Sequence, residues 1–224
     1  SKLFRIKDFA LDSYMRVVES RFFIWGFINT IKRVLLGTSM TVTMLILGAY
    51  PLSKKYLPNR TFWTAMFVFT MFFGGGLIPN YMLIKGLKMM NTIWALVLPG
   101  LVPTFSMLIM RNFFMEIPES LEESARLDGA NDFQIVLRII LPISLPIIAT
   151  VTLWSMVGHW NAWFDSMIYM REPKNQVLQV VLRNIVVVGT TKDLQGGGRI
   201  DRPELNTPEA IKAATIVVGT VPIV

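Results

Sequence analysis

Side chains able to act as nucleophiles, general bases or metal ligands are scarce in this chain. There is one histidine, His159, and no cysteine, so thiol chemistry and disulfides are excluded. The H-E-x-x-H pair, the G-x-S-x-G elbow and the phosphate-cradling G-x-x-x-x-G-K-[ST] loop are all missing, and a lone histidine makes neither a metal site nor a triad. Two clusters of polar residues remain. WSMVGHWNAWFDSM gathers Trp154, His159, Trp160, Asn161, Trp163 and Asp165. Ionisable groups in apolar segments usually face a cavity or a partner, but an interfacial belt of aromatic residues explains the same stretch and is the preferred reading. PESLEESARLDGAND, residues 118–132, sets a short charged stretch before a glycine.

The elements that hold these clusters follow from composition. The 224 residues are 53% hydrophobic and 17% charged, with a mean hydropathy of +0.50. A soluble domain carries about a quarter charged residues. Uncharged runs long enough to cross a bilayer lie at 34–53, 61–84, 89–110 and 139–164, with the start of another at 213–224. Within hydrocarbon each backbone amide must be satisfied inside its own segment, so the runs are helices; the short alternating segments of a barrel are missing. The fold class is therefore all-α, a polytopic membrane helical bundle with about five spans in 1–224, read as one transmembrane domain. Basic residues sit at the ends of the runs (Lys54, Lys55, Arg60 and Arg111), so the net charge of +7 reads as lipid headgroup anchoring and not as nucleic-acid binding.

Residues 1–21 read as an amphipathic surface stretch with no signal peptide, and Lys32 with Arg33 as a membrane boundary before the span that opens at Val34. SKKYLPNR carries basic residues and no acid, which assigns it to the cytoplasm, and 113–138, two spans later, to the same side. In FFGGGLIPNY three glycines and Pro79 weaken or kink the second span; close helix packing is preferred over a gate. The stretch 171–207 is expected to be an extracytoplasmic loop, with VLQVVLRNIVVV re-entrant or interfacial. The final run is too short to span, which suggests a fragment of a longer protein.

In the charged stretch, Ser120 is the expected N-cap with Glu123 completing a capping box, and the glutamates occupy the positive end of the helix dipole. Leu121 and Ala125 share one face; Glu122 and Arg126 share another and can pair. Asp128-Gly129 ends the helix in a left-handed turn, and Asp132 is expected to cap the next one. A helix this short needs something to pack against. Lipid headgroups and a soluble partner both qualify.

Glu123-Ser124-Ala125, three residues, Gly129, nine residues, then Ile139-Ile140-Leu141-Pro142 resembles the EAA loop of ABC-importer permeases, with Ser124 standing for the first alanine. ARLDGA with LPISLP, the Asn29-Thr30 pair, AYPLSKK, GGGLIPNY and WNAWFDSMIYM extend the resemblance along most of the chain, toward the carbohydrate-uptake branch and its MalG- and LplC-type permeases.

The resemblance implies a type I importer permease fold, with six spans in a full-length protein, set multi-pass in a bacterial inner membrane. It implies that 119–142 is the cytoplasmic coupling loop. Glu123, Ala125, Gly129, Leu121, Leu127 and Asp128 would meet a dimer of ATP-binding subunits, which hold the ATP and magnesium. The other implied partners are a second permease subunit and an extracytoplasmic solute-binding protein. The aromatic cluster would suit a sugar path, and basic residues such as Lys85, Lys88, Arg171 and Lys174 would suit either an acidic glycan such as alginate or lipid anchoring. A permease for another small solute, a channel and a structural membrane subunit are the alternatives; an intramembrane enzyme lacks its catalytic residues.

Overall fold

A computed structural model describes residues 20–184, and every regular element among them is a helix. The first, α1 (Arg21–Ser53), runs unbroken for 33 residues. It begins well before the expected boundary at Val34, because nothing between Arg21 and Arg33 breaks a helix. Arg33 is not a headgroup anchor: it is 3% exposed and donates from Nη2 to the Leu96 carbonyl at 3.3 Å. The buried positions of α1 (Thr30, Val34, Thr38, Thr41, Leu45 and Ala49) recur every three or four residues, the spacing of one helical face.

The other runs are jointed. α2 (Arg60–Phe72) and α3 (Leu77–Gly86) meet at 108° across the glycines. Gly76 has φ +80, and a Cβ added at Gly74 would meet no atom within 4 Å. Against the preferred expectation of close helix packing, an added Cβ at Gly75 or Gly76 would meet only Asn80 Oδ1 at 3.7 Å or Pro79 Cδ at 4.0 Å, both on α3, among the described residues. α4 (Trp94–Val97) continues as a 3-10 turn through Gly100 and meets α5 (Thr104–Glu116) at 52°, with Pro99 and Pro103 at the joint. The charged helix α6 (Glu119–Leu127) follows. Then α7 (Asp132–Ile135), a π-helical turn (Val136–Ile140) and α8 (Leu141–Ile143) lead into α9 (Leu145–Asn161) at 81°, between Pro142 and Pro146. Two short helices close the described chain, α10 (Phe164–Tyr169) and α11 (Leu178–Arg183). Among the described residues one helix is long and apolar enough to cross a membrane, and up to four spans result if each bent pair counts as one. The expected stretch at 1–19 and the run at 213–224 lie outside the described residues, as does 185–207 of the expected loop.

The chain divides into two compact units. One takes Arg33–Met89 and Ile93–His159. Its core joins α1, α5, the π-helical region and α9 through Leu45, Ala49, Met107, Met110, Phe114, Ile135, Ile140 and Val151. The other takes, among the described residues, 20–32, Met90–Thr92 and 160–184. It is stitched by polar contacts. Asn29 Nδ2 donates to the carbonyls of Lys174 at 2.8 Å and Gln176 at 3.1 Å. Asn91, held left-handed at φ 59, accepts at Oδ1 from the amides of Arg171 at 2.6 Å and Glu172 at 3.3 Å. α11 therefore packs inside this unit, with Leu178, Val180 and Leu182 buried.

Candidate functional site

The charged segment folds as a helix, an elbow and a second helix, although its caps differ from expectation. Pro118 occupies the N-cap, and no side chain caps the helix; Ser120 is the second residue of the helix. Proline supplies the turn into the helix through its fixed φ, so the hydroxyl is not needed there. The next helix is capped one residue earlier than expected. Asn131 Oδ1 accepts from the Gln134 amide at 2.9 Å, and Gln134 Oε1 accepts from the Asn131 amide at 3.0 Å, a complete capping box. Asp132 is thereby released to pair with Arg126 at 3.0 Å. Gly129 sits at φ +85, as a left-handed helix stop requires.

The inner face of α6 meets the loop that follows α1. Three consecutive residues of that loop engage three positions of the helix. Lys54 pairs with Glu122, both almost fully buried. Lys55 Nζ lies 2.9 Å from Glu119 Oε1, in the open. Tyr56 accepts at its hydroxyl from Arg126 Nη2 at 3.1 Å and stacks beneath the guanidinium. The expected Glu122–Arg126 pair does not form, because each side chain has a partner from the loop. Tyr50, at the end of α1, donates its hydroxyl to Glu122 Oε2 at 3.4 Å, lies under the Lys54 ammonium and packs edge-on to Phe114. Arg111 of α5 donates from Nε to the Leu52 carbonyl at 3.0 Å, placing a cation at the negative end of α1.

Two charges here are tuned by contact. The hydrogen bond from Lys55, and then its charge, holds the Glu119 carboxyl below the usual carboxylate range. The hydrogen bond to Tyr56 raises Arg126 further above its already high value.

Among the described residues nothing covers the outer face of α6. Leu127 is 89% exposed, Glu123 and Ser124 are exposed beside it, and Leu121 is half-exposed at the edge. Ala125 turns inward, where it packs against the core of its unit. Asp128 and Gly129 are exposed at the elbow. The aromatic cluster disperses instead. Trp154 and Asn161 are exposed, Trp163 carries Arg183 over its ring at 4.6 Å, and Asp165 Oδ1 accepts from the Ser166 amide at 2.8 Å. Trp160 is buried edge-on to Phe27. The His159 ring fills the space over Gly37, where an added Cβ would stand 2.5 Å from Nε2. Among the described residues no group of three or more His, Cys, Asp or Glu could hold a metal ion.

Sequence reasoning missed Tyr50, Lys54, Tyr56 and Asn91. The basic loop was legible as a topology signal, but nothing local in it marks a partner some seventy residues on.

Every regular element among the described residues is thus a helix, with one charged helix held by its inner face and exposed on its outer face. Residues 56–164 match the family described as "Binding-protein-dependent transport system inner membrane component". The chain is 37% identical over 217 residues to the polygalacturonan/rhamnogalacturonan transport system permease protein YtcP of Bacillus subtilis, covering 96% of this chain and 75% of that one. It is 35% identical to the B. subtilis protein LplC, covering 97% and 73%. The crystal structure of a bacterial ABC transporter involved in the import of the acidic polysaccharide alginate superposes with a TM-score of 0.87 at 29% identity, covering 97% of this chain and 77% of its counterpart. The chain belongs to the binding-protein-dependent family of inner membrane transport components.

Proposed function

We propose that this chain is the membrane-spanning subunit of an ATP-driven importer of oligo- or polysaccharide in a bacterial inner membrane. It forms half of the translocation path with a second permease. α6 is the coupling helix, docked on a dimer of ATP-binding subunits that hold ATP and magnesium, and a solute-binding protein delivers the sugar from the other side. The observation that carries this reading is the two-faced α6: its inner face is fixed by Lys54, Lys55 and Tyr56, while Leu127, Glu123 and Leu121 face outward with nothing on them. A headgroup-resting helix would present an apolar face to the lipid, whereas this outer face mixes leucines with a carboxylate and a hydroxyl. Glu123, Leu121 and Leu127 are the docking contacts, Ala125 is the packing residue behind them, and Asp128 with Gly129 is the elbow. Gly129 is required there because its left-handed backbone is disfavoured for residues with a Cβ.

The substrate class we propose is an acidic glycan. Two relatives support it, one named for polygalacturonan and rhamnogalacturonan and one for alginate. Trp154, Asn161 and Trp163 are the candidates for the path, since aromatic faces and amides remain accessible there. Trp160 and His159 act as packing around it, and Asp165 is turned to its own helix start.

Cysteine crosslinking tests the dock without background, as the chain has no cysteine. Ala125 is the wrong position because it points inward; Leu127→Cys is the right one, with Leu87→Cys, 60% exposed in the turn after α3, as control. The expected result is a crosslink from position 127 to the co-expressed ATP-binding subunit that changes with ATP, and none from position 87. Equal crosslinking at both, or none at 127 in membranes holding both proteins, overturns the docking assignment. Uptake of labelled oligogalacturonate or alginate by the reconstituted transporter, competed by neutral oligosaccharide, tests the substrate class.

A further inference from the structure

Lys54 and Glu122 form the one ion pair at this site that is shielded from water. The others, Lys55–Glu119 and Arg126–Asp132, are exposed on both sides. Exposed pairs hold little because water and salt screen them. A buried pair is different in kind. Its attraction does little more than offset the desolvation of the two charges, so two apolar side chains would hold the elements together about as well. What a buried pair adds is register: a charge displaced from its partner is left unpaired in a low-dielectric site, so the two elements must move together. This pair joins the first loop residue after α1 to the middle of α6. Tyr50 seats both members, donating to Glu122 and lying beneath Lys54, and Phe114 backs Tyr50 edge-on.

Resting on the reading of α6 as the coupling helix, we propose that the Lys54–Glu122 pair is the positioning joint that makes α1 follow the coupling helix. The ATP-driven displacement then enters the membrane by two routes. One runs along the chain, through the Gly129 elbow into α7 and α9. The other passes through the ion pair, whose members lie 68 residues apart in sequence, into α1. Lys54 and Glu122 touch neither nucleotide nor sugar; they fix how far α1 travels for each closure of the ATP-binding dimer.

The test uses the complete transporter in proteoliposomes, with binding protein and labelled oligosaccharide, and reads sugar taken up per ATP hydrolysed. Glu122→Gln and Lys54→Met each lower that ratio about tenfold while ATP hydrolysis and the Leu127→Cys crosslink persist. The double variant Lys54→Met with Glu122→Met leaves no unpaired charge, so it assembles, yet its ratio stays low because an apolar contact slides. The reversed pair, Lys54→Glu with Glu122→Lys, recovers part of the ratio. Single variants that assemble and keep the wild-type ratio overturn the proposal, and so does an assembled apolar double variant that couples normally. Loss of uptake strictly proportional to loss of assembled complex also overturns it, by reducing the pair to a folding contact. The wild-type transporter separates the two claims: if it takes up no sugar with ATP, the importer reading fails before any variant is compared.

Discussion

The hydroxyl of Thr30 accepts a hydrogen bond from the amide of Leu178 at 2.9 Å, across 148 residues of sequence. Thr30 is completely buried, and Gly26 one turn earlier leaves the Leu178 backbone its room, since a Cβ there would stand 3.1 Å from the Leu178 Cα. The Asn29-Thr30 pair is thus the receptor for the 174–178 segment. Thr30→Val keeps the shape and orphans a buried amide, at a cost of about 1–3 kcal/mol. The expected result is a lower unfolding temperature of the purified protein, with Thr30→Ser close to wild type; equal midpoints for valine and threonine would remove the bond from the account.

Gly37 and His159 form a second close approach. An alanine at 37 would place its Cβ at 2.5–2.8 Å from three atoms of the imidazole ring. Gly37→Ala should therefore destabilise by about 1–3 kcal/mol. Removing the ring as well should relieve the clash, so Gly37→Ala with His159→Ala is less unstable than the two single effects added. Thermal melts of the four proteins complete the cycle, and strict additivity would show that ring and glycine do not meet.

Gly129 is constrained by its backbone and not by space, since an added Cβ would meet no atom within 4 Å at φ +85. Gly129→Ala should cost about 1–2 kcal/mol for the left-handed conformation alone. Gly86, equally open but without a positive φ, is the control. Gly86→Ala should be neutral or slightly stabilising, and chemical unfolding of the two variants distinguishes them.

The Glu119 carboxyl is held below its ordinary range by Lys55, so its ionised form is favoured in the folded protein. A lowered carboxylate contributes stability above its unfolded value and loses it as pH falls through the folded one. The pair is fully open to solvent, which makes the effect small and salt-sensitive. Wild type and Glu119→Gln should differ slightly at neutral pH and low salt, and their melting curves should converge as the pH drops below the carboxylate range. A gap that persists in acid, or that salt leaves unchanged, would assign it to something other than the ion pair.

Much of this was legible in the sequence, and the physics explains where legibility stopped. Long uncharged runs admit only helices in hydrocarbon, so the helical runs and the glycine break after α2 could be read directly, whereas the bends at Pro99 and Pro103 and between Pro142 and Pro146 were not. Nor was the start of α1. Hydropathy counts Lys32-Arg33 as an exit, and only the fold shows that Arg33 reaches the Leu96 carbonyl. Glu122 illustrates the same limit. Helical spacing offers it Arg126, four residues on, whereas the partner it takes lies 68 residues back on another element. Local rules also chose the wrong cap at Ser120, because a proline had already made the turn. In the aromatic stretch, residue type favoured an interfacial belt over a sugar path, but it could not tell that Trp160 is buried while Trp154 is exposed.

The unbroken length of α1 has a consequence for the membrane around it. Its 33 residues, at about 1.5 Å each, make a rod of about 50 Å. The hydrocarbon layer is about 30 Å thick, and even a tilt of about 40°, steep for a membrane helix, leaves roughly 38 Å along the normal. The rod overshoots the oil. The uncharged run 34–53, about 30 Å long, matches the oil by itself, and exposed Lys32 interrupts the apolar surface before it, so the turns from Arg21 to Arg33 extend the rod beyond the hydrocarbon.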